Sequence, residues 1–79
     1  MAYRKPAKEL ITNGLYKIEC AEKCYDEDSV EYDKIQRIRR DFGLVSTAAT
    51  TTGSESAFED LKEYFDGLEG LLETVGDSE

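Results

Sequence analysis

Apolar residues recur at helical spacing in the last third of the chain. From residue 58 to residue 75 the intervals alternate between three and four positions, which places these residues on one face of an α-helix. Ser56 and Glu59 have the spacing of a capping box at the start of such a helix, and Gly76 is placed to end it. We therefore predict a third helix near residues 57–75. Its apolar stripe consists of Phe58, Leu61, Phe65, Leu68, Leu72 and Val75.

The first segment supports two interpretations, a helix or a β-hairpin. Its small and apolar residues also recur at intervals of four and three, and Pro6 suits the first turn of a helix. Asn13 and Gly14 together are a strong signal for a type I′ turn between two short strands within residues 9–20. The helical period continues through this turn signal, so we favour a helix near residues 6–26. In that helix Gly14 would let a neighbouring helix approach closely.

An acidic cluster separates the first segment from a second helical pattern. Asp28 and Glu31 have the spacing of a capping box, and Gly43 is placed to end the helix. We therefore predict a second helix near residues 29–43. Residues 45–56 are rich in Ser and Thr and show neither a helical nor an alternating period, which predicts a flexible loop before the third helix. The expected buried residues of the second helix are Ile35, Ile38, Phe42 and Val45.

These elements predict an all-α fold, either a small three-helix bundle or an open helical assembly, with residues 1–79 in a single domain. Leu, Ile, Val and Phe make up 17 of the 79 residues, just above the roughly 20% below which a highly charged chain is expected to be disordered. No apolar run approaches a membrane span, and residues 1–8 lack the hydrophobic stretch of a signal peptide. We therefore expect a cytoplasmic protein with no membrane contact.

Charge divides the chain into two unequal parts. The protein carries ten basic and eighteen acidic side chains, no histidine and a net charge of −8. Residues 1–45 hold nine of each sign, whereas residues 46–79 hold nine acids and one base, Lys62. At 100° per residue, five of these acids fall on or beside the face of the third helix that is opposite its apolar stripe. We call this row the acidic ridge; it consists of Glu59, Glu63, Asp66, Glu69 and Glu73.

The acidic ridge has two interpretations. A helix must turn some polar face to water, and glutamate is a good helix former, so solvation alone is one of them. The other is binding to a basic surface. Few bases compensate the ridge, Glu59 and Glu63 repel each other four positions apart, and Glu73 lies at the unfavourable end of the helix dipole. Solubility does not require this arrangement.

The composition argues against catalysis. Without histidine, acid–base chemistry falls to carboxylates, lysine, tyrosine or cysteine, and two cysteines alone cannot complete a transition-metal site. Cys20 and Cys24 lie four positions apart on the first helix, where they are poorly placed to form a disulfide, so we expect reduced thiols. The acidic run at residues 26–28 lacks the ligand spacing and glycine of an EF-hand loop. We expect no enzyme activity, no metal ion and no cofactor.

The second helix carries the densest basic cluster of the chain. Asp33 and Asp41 each lie four positions from Arg37, so much of this charge is matched on the same helix. We expect intramolecular ion pairs, including contacts with the acidic third helix, and no direct contact with nucleic acid. The members of the cluster are Lys34, Arg37, Arg39 and Arg40.

The residues Asp-Ser-Val at positions 28–30 resemble the Asp-Ser-Leu motif of acyl carrier proteins, which are also small and acidic. The resemblance covers these three residues and Phe-Gly at positions 42–43, and it implies Ser29 as the attachment point of a phosphopantetheine arm. The helix after the carrier serine is typically acidic, because basic partner enzymes recognise it. The second helix departs from that pattern, since it is basic at Arg37, Arg39 and Arg40.

The sequence leads us to expect a non-catalytic acidic interaction module that inhibits or regulates a basic, nucleic-acid-binding protein through the acidic ridge. An analogy is offered by small viral or mobile-element inhibitors of host defence, which act by steric or nucleic-acid-mimic competition. If the protein is of this kind, we expect it in the cytoplasm of the host cell. The first alternative is a structural assembly subunit or dimerising helical adaptor whose third helix packs its apolar stripe against a second copy. The second is a small transcriptional regulator that uses the basic cluster.

Overall fold

Three α-helices follow one another along the chain and pack as an up-down-up bundle. A computed structural model describes residues 3–76, in which α1 spans Arg4–Glu22, α2 spans Val30–Thr52 and α3 spans Glu55–Val75. Each helix contacts both of the others. The starts of α1 and α3 lie side by side, whereas the start of α1 meets the end of α2, so α1 and α3 are parallel and α2 runs antiparallel to both. The predicted all-α three-helix bundle is confirmed. The predicted domain also includes residues 1–2 and 77–79, which lie outside the described residues.

The first segment is a helix and not a hairpin. α1 begins at Arg4, before the predicted start at Pro6, and ends at Glu22, four residues before the predicted end. Its period buries Ala7, Gly14 and Ile18 against the other two helices. A hairpin would offer no such continuous face, and an isolated pair of strands is marginally stable in water. Residues 3–76 contain no strand.

α2 ends nine residues later than predicted, and the prediction of a flexible loop at residues 45–56 is wrong. Gly43 lies inside the helix, which continues to Thr52. The extension is held by packing, because Ser46 and Ala49 continue the buried face of α2. Ser46 is polar and Ala49 is small, so neither adds a large apolar residue to the sequence pattern. Tertiary burial therefore decides the length of this helix.

Polar groups support the last turns of α2. The Thr50 hydroxyl donates to the Ser46 carbonyl at 3.1 Å, and the Thr52 hydroxyl donates to the Ala48 carbonyl at 2.8 Å. The Arg4 guanidinium on α1 donates to the carbonyls of Thr50 and Thr51, at 2.8 and 3.1 Å. A cation at this position satisfies carbonyls that have no partner within the helix and matches the negative end of its dipole.

Two serines begin the second and third helices. Ser29 caps α2 by accepting from the Tyr32 amide at 3.0 Å, and Ser54 caps α3 by accepting from the Ala57 amide at 3.3 Å. The predicted caps, Asp28 and Ser56, were therefore misplaced by one and two residues. Gly53 turns the chain between α2 and α3 with a φ of 63°, a left-handed conformation that favours glycine.

The core lies along the common axis of the three helices. Its largest fully buried side chains come from every helix, and the residues predicted for the apolar faces of α2 and α3 are buried or partly buried. Gly14 allows close approach as predicted, since a Cβ atom there would lie 2.8 and 2.9 Å from two ring carbons of Phe42. None of the helices within residues 3–76 has the length and hydrophobicity to cross a membrane. The fully buried large side chains are Phe42, Ile18, Ile35, Leu61 and Leu68.

Candidate acidic interaction surface

The acidic ridge lies on the solvent side of α3, as the helical period predicts. Leu61, Leu68 and Val75 of the same helix are buried in the core, so the opposite face is turned to water. Ser54 caps the start of this helix. The exposed ridge residues are Glu59, Glu63, Asp66, Glu69 and Glu73.

One residue of the acidic ridge forms an ion pair within the described part of the chain. The Lys17 ammonium on α1 lies 3.2 Å from Glu69 Oε2, and the same ammonium lies 5.9 Å from the centre of the Phe65 ring. Among residues 3–76, no basic group lies within 4.0 Å of the other four ridge carboxylates, and this includes Lys62 of α3 itself. The ridge is therefore largely unneutralised by the protein's own bases.

Two of the three arginines of α2 pair with carboxylates outside the acidic ridge. Arg37 lies 3.6 Å from Asp33 on the same helix, as predicted. Arg39 lies 3.1 Å from Glu22 at the end of α1, and Gln36 donates to the same carboxylate. The predicted ion pairs between α2 and α3 are wrong for the described residues. The reason is geometric, because Arg37 lies on the outer face of α2 and Arg39 on the side that faces α1.

The hydroxyl of Ser29 has a structural role at the start of α2. It accepts from the Tyr32 amide at 3.0 Å and donates to the Asp26 carbonyl at 2.7 Å. Both bonds fix the turn that joins α1 to α2. The geometry of this serine is therefore fully explained by helix capping.

The two cysteines are exposed free thiols. Cys24 Sγ donates to the Cys20 carbonyl at 3.5 Å, a bond that continues the helical turn past the end of α1. Within residues 3–76, no group of three or more Cys, Asp or Glu side chains is arranged to hold a metal ion. Cys20 differs from Cys24 in its surroundings, because it faces an open groove.

This groove runs between α1 and α3, beside the acidic ridge, and we call it the α1/α3 groove. Tyr16, Cys20 and Ala21 line it from α1, and Leu72 and Glu73 line it from α3. Lys17 and Glu69, which form an ion pair, are the other two lining residues. The groove has a volume of about 300 Å³, mostly apolar walls and an open side toward solvent.

Sequence patterns did not reveal the α1/α3 groove. Tyr16 lies outside the buried face of α1, which holds Ala7, Gly14 and Ile18, and it is 68% exposed although it is large and aromatic. Its relation to Leu72 depends on the parallel arrangement of α1 and α3, which no spacing within either helix encodes. An exposed aromatic residue at a helix position away from the core was the available signal.

The acidic ridge and the α1/α3 groove form one continuous surface, joined at Glu69 and Glu73. Its carboxylates can accept hydrogen bonds from lysine and arginine side chains, and its groove can cover an apolar side chain. Comparison of the chain with protein families, with curated proteins and with solved structures found no match.

Proposed function

We propose that this protein is a non-catalytic interaction module that inhibits or regulates a basic, nucleic-acid-binding protein by presenting the acidic ridge to it. The observation that carries the proposal is the lack of ion pairs at four of the five ridge carboxylates within residues 3–76. The same chain has arginines, but those of α2 that form ion pairs bind other carboxylates. A purely solvated helix face does not need such a concentration of one charge.

The energetics of the free protein support a basic partner. Glu59 and Glu63 are four positions apart on α3, a spacing at which like charges destabilise a helix by a few tenths of a kcal/mol. Glu73 lies near the C-terminal end of α3, where a negative charge opposes the helix dipole. Lysines and arginines of a partner would reverse the sign of both effects.

The mechanism is electrostatic steering followed by competition. Carboxylates roughly 6 Å apart along one helix face attract basic side chains that otherwise hold phosphates. The bound module then occupies the surface that nucleic acid would use. Inhibition of a host defence protein by a viral or mobile-element product in the host cytoplasm would be one setting for this mechanism, and that setting is an analogy alone.

The alternative function, a dimerising adaptor, requires the apolar stripe of α3 to pack against a second copy. Leu61 and Leu68, at the centre of that stripe, are fully buried in the protein's own bundle. The acidic ridge therefore supplies the better argument for function.

A charge-matched pair of variants tests the proposal. The ridge variant carries Glu59→Gln, Glu63→Gln, Asp66→Asn and Glu73→Gln on α3. The control variant carries Glu9→Gln, Glu19→Gln, Glu27→Gln and Asp28→Asn, which are exposed and whose side chains make no hydrogen bond or ion pair within residues 3–76. Each variant loses four negative charges.

Both variants and the wild type are immobilised and used to capture proteins from a nuclease-treated lysate of the native host. We expect the wild type and the control variant to retain the same basic protein, and the ridge variant to lose it. Addition of short duplex DNA should release the captured protein, because both ligands use one surface. Equal capture by the ridge variant, or equal loss from the control variant, would show that the ridge is not the binding surface.

A further inference from the structure

We propose that the α1/α3 groove receives an apolar side chain from a basic amphipathic helix of the partner, while lysine or arginine side chains of that helix contact Glu73 and the adjacent acidic ridge. This inference rests on the proposed function and identifies the part of the partner that is bound. It gives a role to the apolar lining of the α1/α3 groove, which binding through the acidic ridge alone does not require.

The floor and one wall of the groove suit an apolar anchor. Ala21 and Leu72 are partly buried at its base, and Tyr16 stands beside them with 68% of its surface exposed. A tyrosine ring offers a large contact area with little loss of side-chain entropy on binding. At about 300 Å³ the groove is at the lower end of the roughly 300–1,000 Å³ of ligand pockets, and its open side leaves room for one or two side chains of a larger partner.

The negative charge on the rim of the groove favours a positively charged partner. Lys17 already pairs with Glu69, whereas Glu73, one turn later, has no ion pair within the described residues. On the α1 side, Lys17 is the one base among the lining residues and it is paired with Glu69, while Tyr16 and Cys20 bring no positive charge. A cation beside the apolar anchor would pair with Glu73 and could also lie over the exposed ring of Tyr16.

The same charge argues against a second copy of this chain as the occupant. The protein has a net charge of −8, and the acidic ridge lies next to the groove. Two copies that met here would bring their ridges together, and like charges across an interface are unfavourable. A basic partner meets no such repulsion.

The shape of the groove suits a helix. α1 and α3 run parallel, and the groove lies between residues 16–21 of α1 and residues 69–73 of α3. A partner helix can lie along this part of the bundle with apolar residues at intervals of three and four positions. Side chains at the flanks of such a helix would reach the ridge. The groove and the ridge therefore fit two faces of one amphipathic element.

The thiol of Cys20 reports directly on occupancy of the groove. The full-length protein is treated with N-ethylmaleimide, and the labelling rates of Cys20 and Cys24 are measured by mass spectrometry. The probe is a synthetic 14-residue amphipathic helix of leucine and lysine; controls are a scrambled peptide of the same composition and a peptide with glutamate in place of lysine. We expect the probe to slow Cys20 labelling at least fivefold relative to Cys24, and neither control peptide to do so.

Two groove variants and two matched controls locate the contact. Tyr16→Ser should weaken binding of the probe about tenfold, because an apolar wall is lost, and Glu73→Gln should weaken it roughly twofold to fivefold. Leu44→Ser removes an equally exposed apolar side chain from α2, and Glu27→Gln removes an exposed charge from the α1–α2 connection. Both controls should bind the probe as the wild type does. Circular dichroism and urea unfolding check that all four variants fold.

Three results would overturn the proposal. They are protection of Cys20 by the scrambled or acidic peptide, no protection by the probe at millimolar concentration, and protection that rises with protein concentration alone, which would mean that a second copy fills the groove. Failure of the proposed function is distinguishable. If Tyr16→Ser captures the host partner normally and the ridge variant does not, the groove proposal fails alone; if both capture it normally, both proposals fail.

Discussion

The same substitution, glycine to alanine, should have opposite effects at two helical positions of this protein. At Gly14 the new Cβ would lie 2.8 and 2.9 Å from ring carbons of Phe42, where carbon atoms normally stay about 3.5–4.0 Å apart. Phe42 is fully buried, so its ring cannot move away without disturbing the core. At Gly67 on α3 nothing lies within 4 Å of the new atom.

The magnitudes follow from two opposing terms. Alanine gains up to about 1 kcal/mol over glycine inside a helix, and overpacking of a core costs typically about 1–3 kcal/mol. We therefore expect Gly67→Ala to raise the free energy of unfolding by about 0.5–1 kcal/mol. Gly14→Ala should lower it by about 1–2 kcal/mol, a fall in Tm of about 4–16 °C for a chain of this length.

Urea unfolding monitored by circular dichroism at 222 nm measures both changes, provided that the m-value stays constant. Adding Phe42→Leu to Gly14→Ala gives the new methyl group room, so the double variant should be more stable than the sum of the two single changes predicts. If Gly14→Ala stabilises the protein as much as Gly67→Ala does, α1 and α2 do not approach as closely as described. The packing argument would then be wrong.

Four further changes test other parts of the account. Ser46→Ala should raise the free energy of unfolding by about 1 kcal/mol, because the buried Ser46 hydroxyl has no hydrogen-bond partner within residues 3–76. Arg39→Ala should lower it by about 1–2 kcal/mol by removing a donor from Glu22, whose side chain is 15% exposed. Glu73→Gln should raise it by a few tenths of a kcal/mol at low salt and by less in 1 M NaCl. Burial, and then the nearby Asp41 charge, raise the pKa of Tyr64 above 10.0, so the unfolded chain loses this proton first and stability falls as pH rises past that value. Tyr64→Phe should reduce that alkaline loss, and urea unfolding measures all four effects. A Ser46→Ala variant that unfolds more easily would mean that its hydroxyl has a partner, and an unchanged Arg39→Ala variant would mean that its ion pair is not formed in solution.

Large apolar side chains made α3 and the acidic ridge predictable from the sequence. The stripe from Phe58 to Val75 has one period throughout, so both the core face and the charged face of the helix follow from it. The length of α2 was not predictable in this way. Its last turns are buried through Ser46 and Ala49, and small residues gain their importance only from what packs against them.

Features formed by two helices together were the hardest to predict from the sequence. The Lys17–Glu69 ion pair and the α1/α3 groove both require α1 and α3 to lie side by side in parallel. The residue pattern of a helix predicts which of its faces is buried. It does not predict how a neighbouring helix is rotated about its axis or how far it is shifted along it. The same limit explains why the basic cluster of α2 was predicted to contact α3, whereas its Arg39 pairs with Glu22 on α1.

The central claim is that the position of the charge on α3, and not the total charge of the protein, attracts a basic partner. The most direct measurement is the affinity of the captured partner for the wild type, the ridge variant and the charge-matched control variant, by titration calorimetry from 50 to 500 mM NaCl. We predict that affinity for the wild type falls steeply with salt, that the control variant stays within about threefold of it, and that the ridge variant binds at least tenfold more weakly with a flatter salt dependence. Equal weakening of the two variants at every salt concentration would contradict the claim.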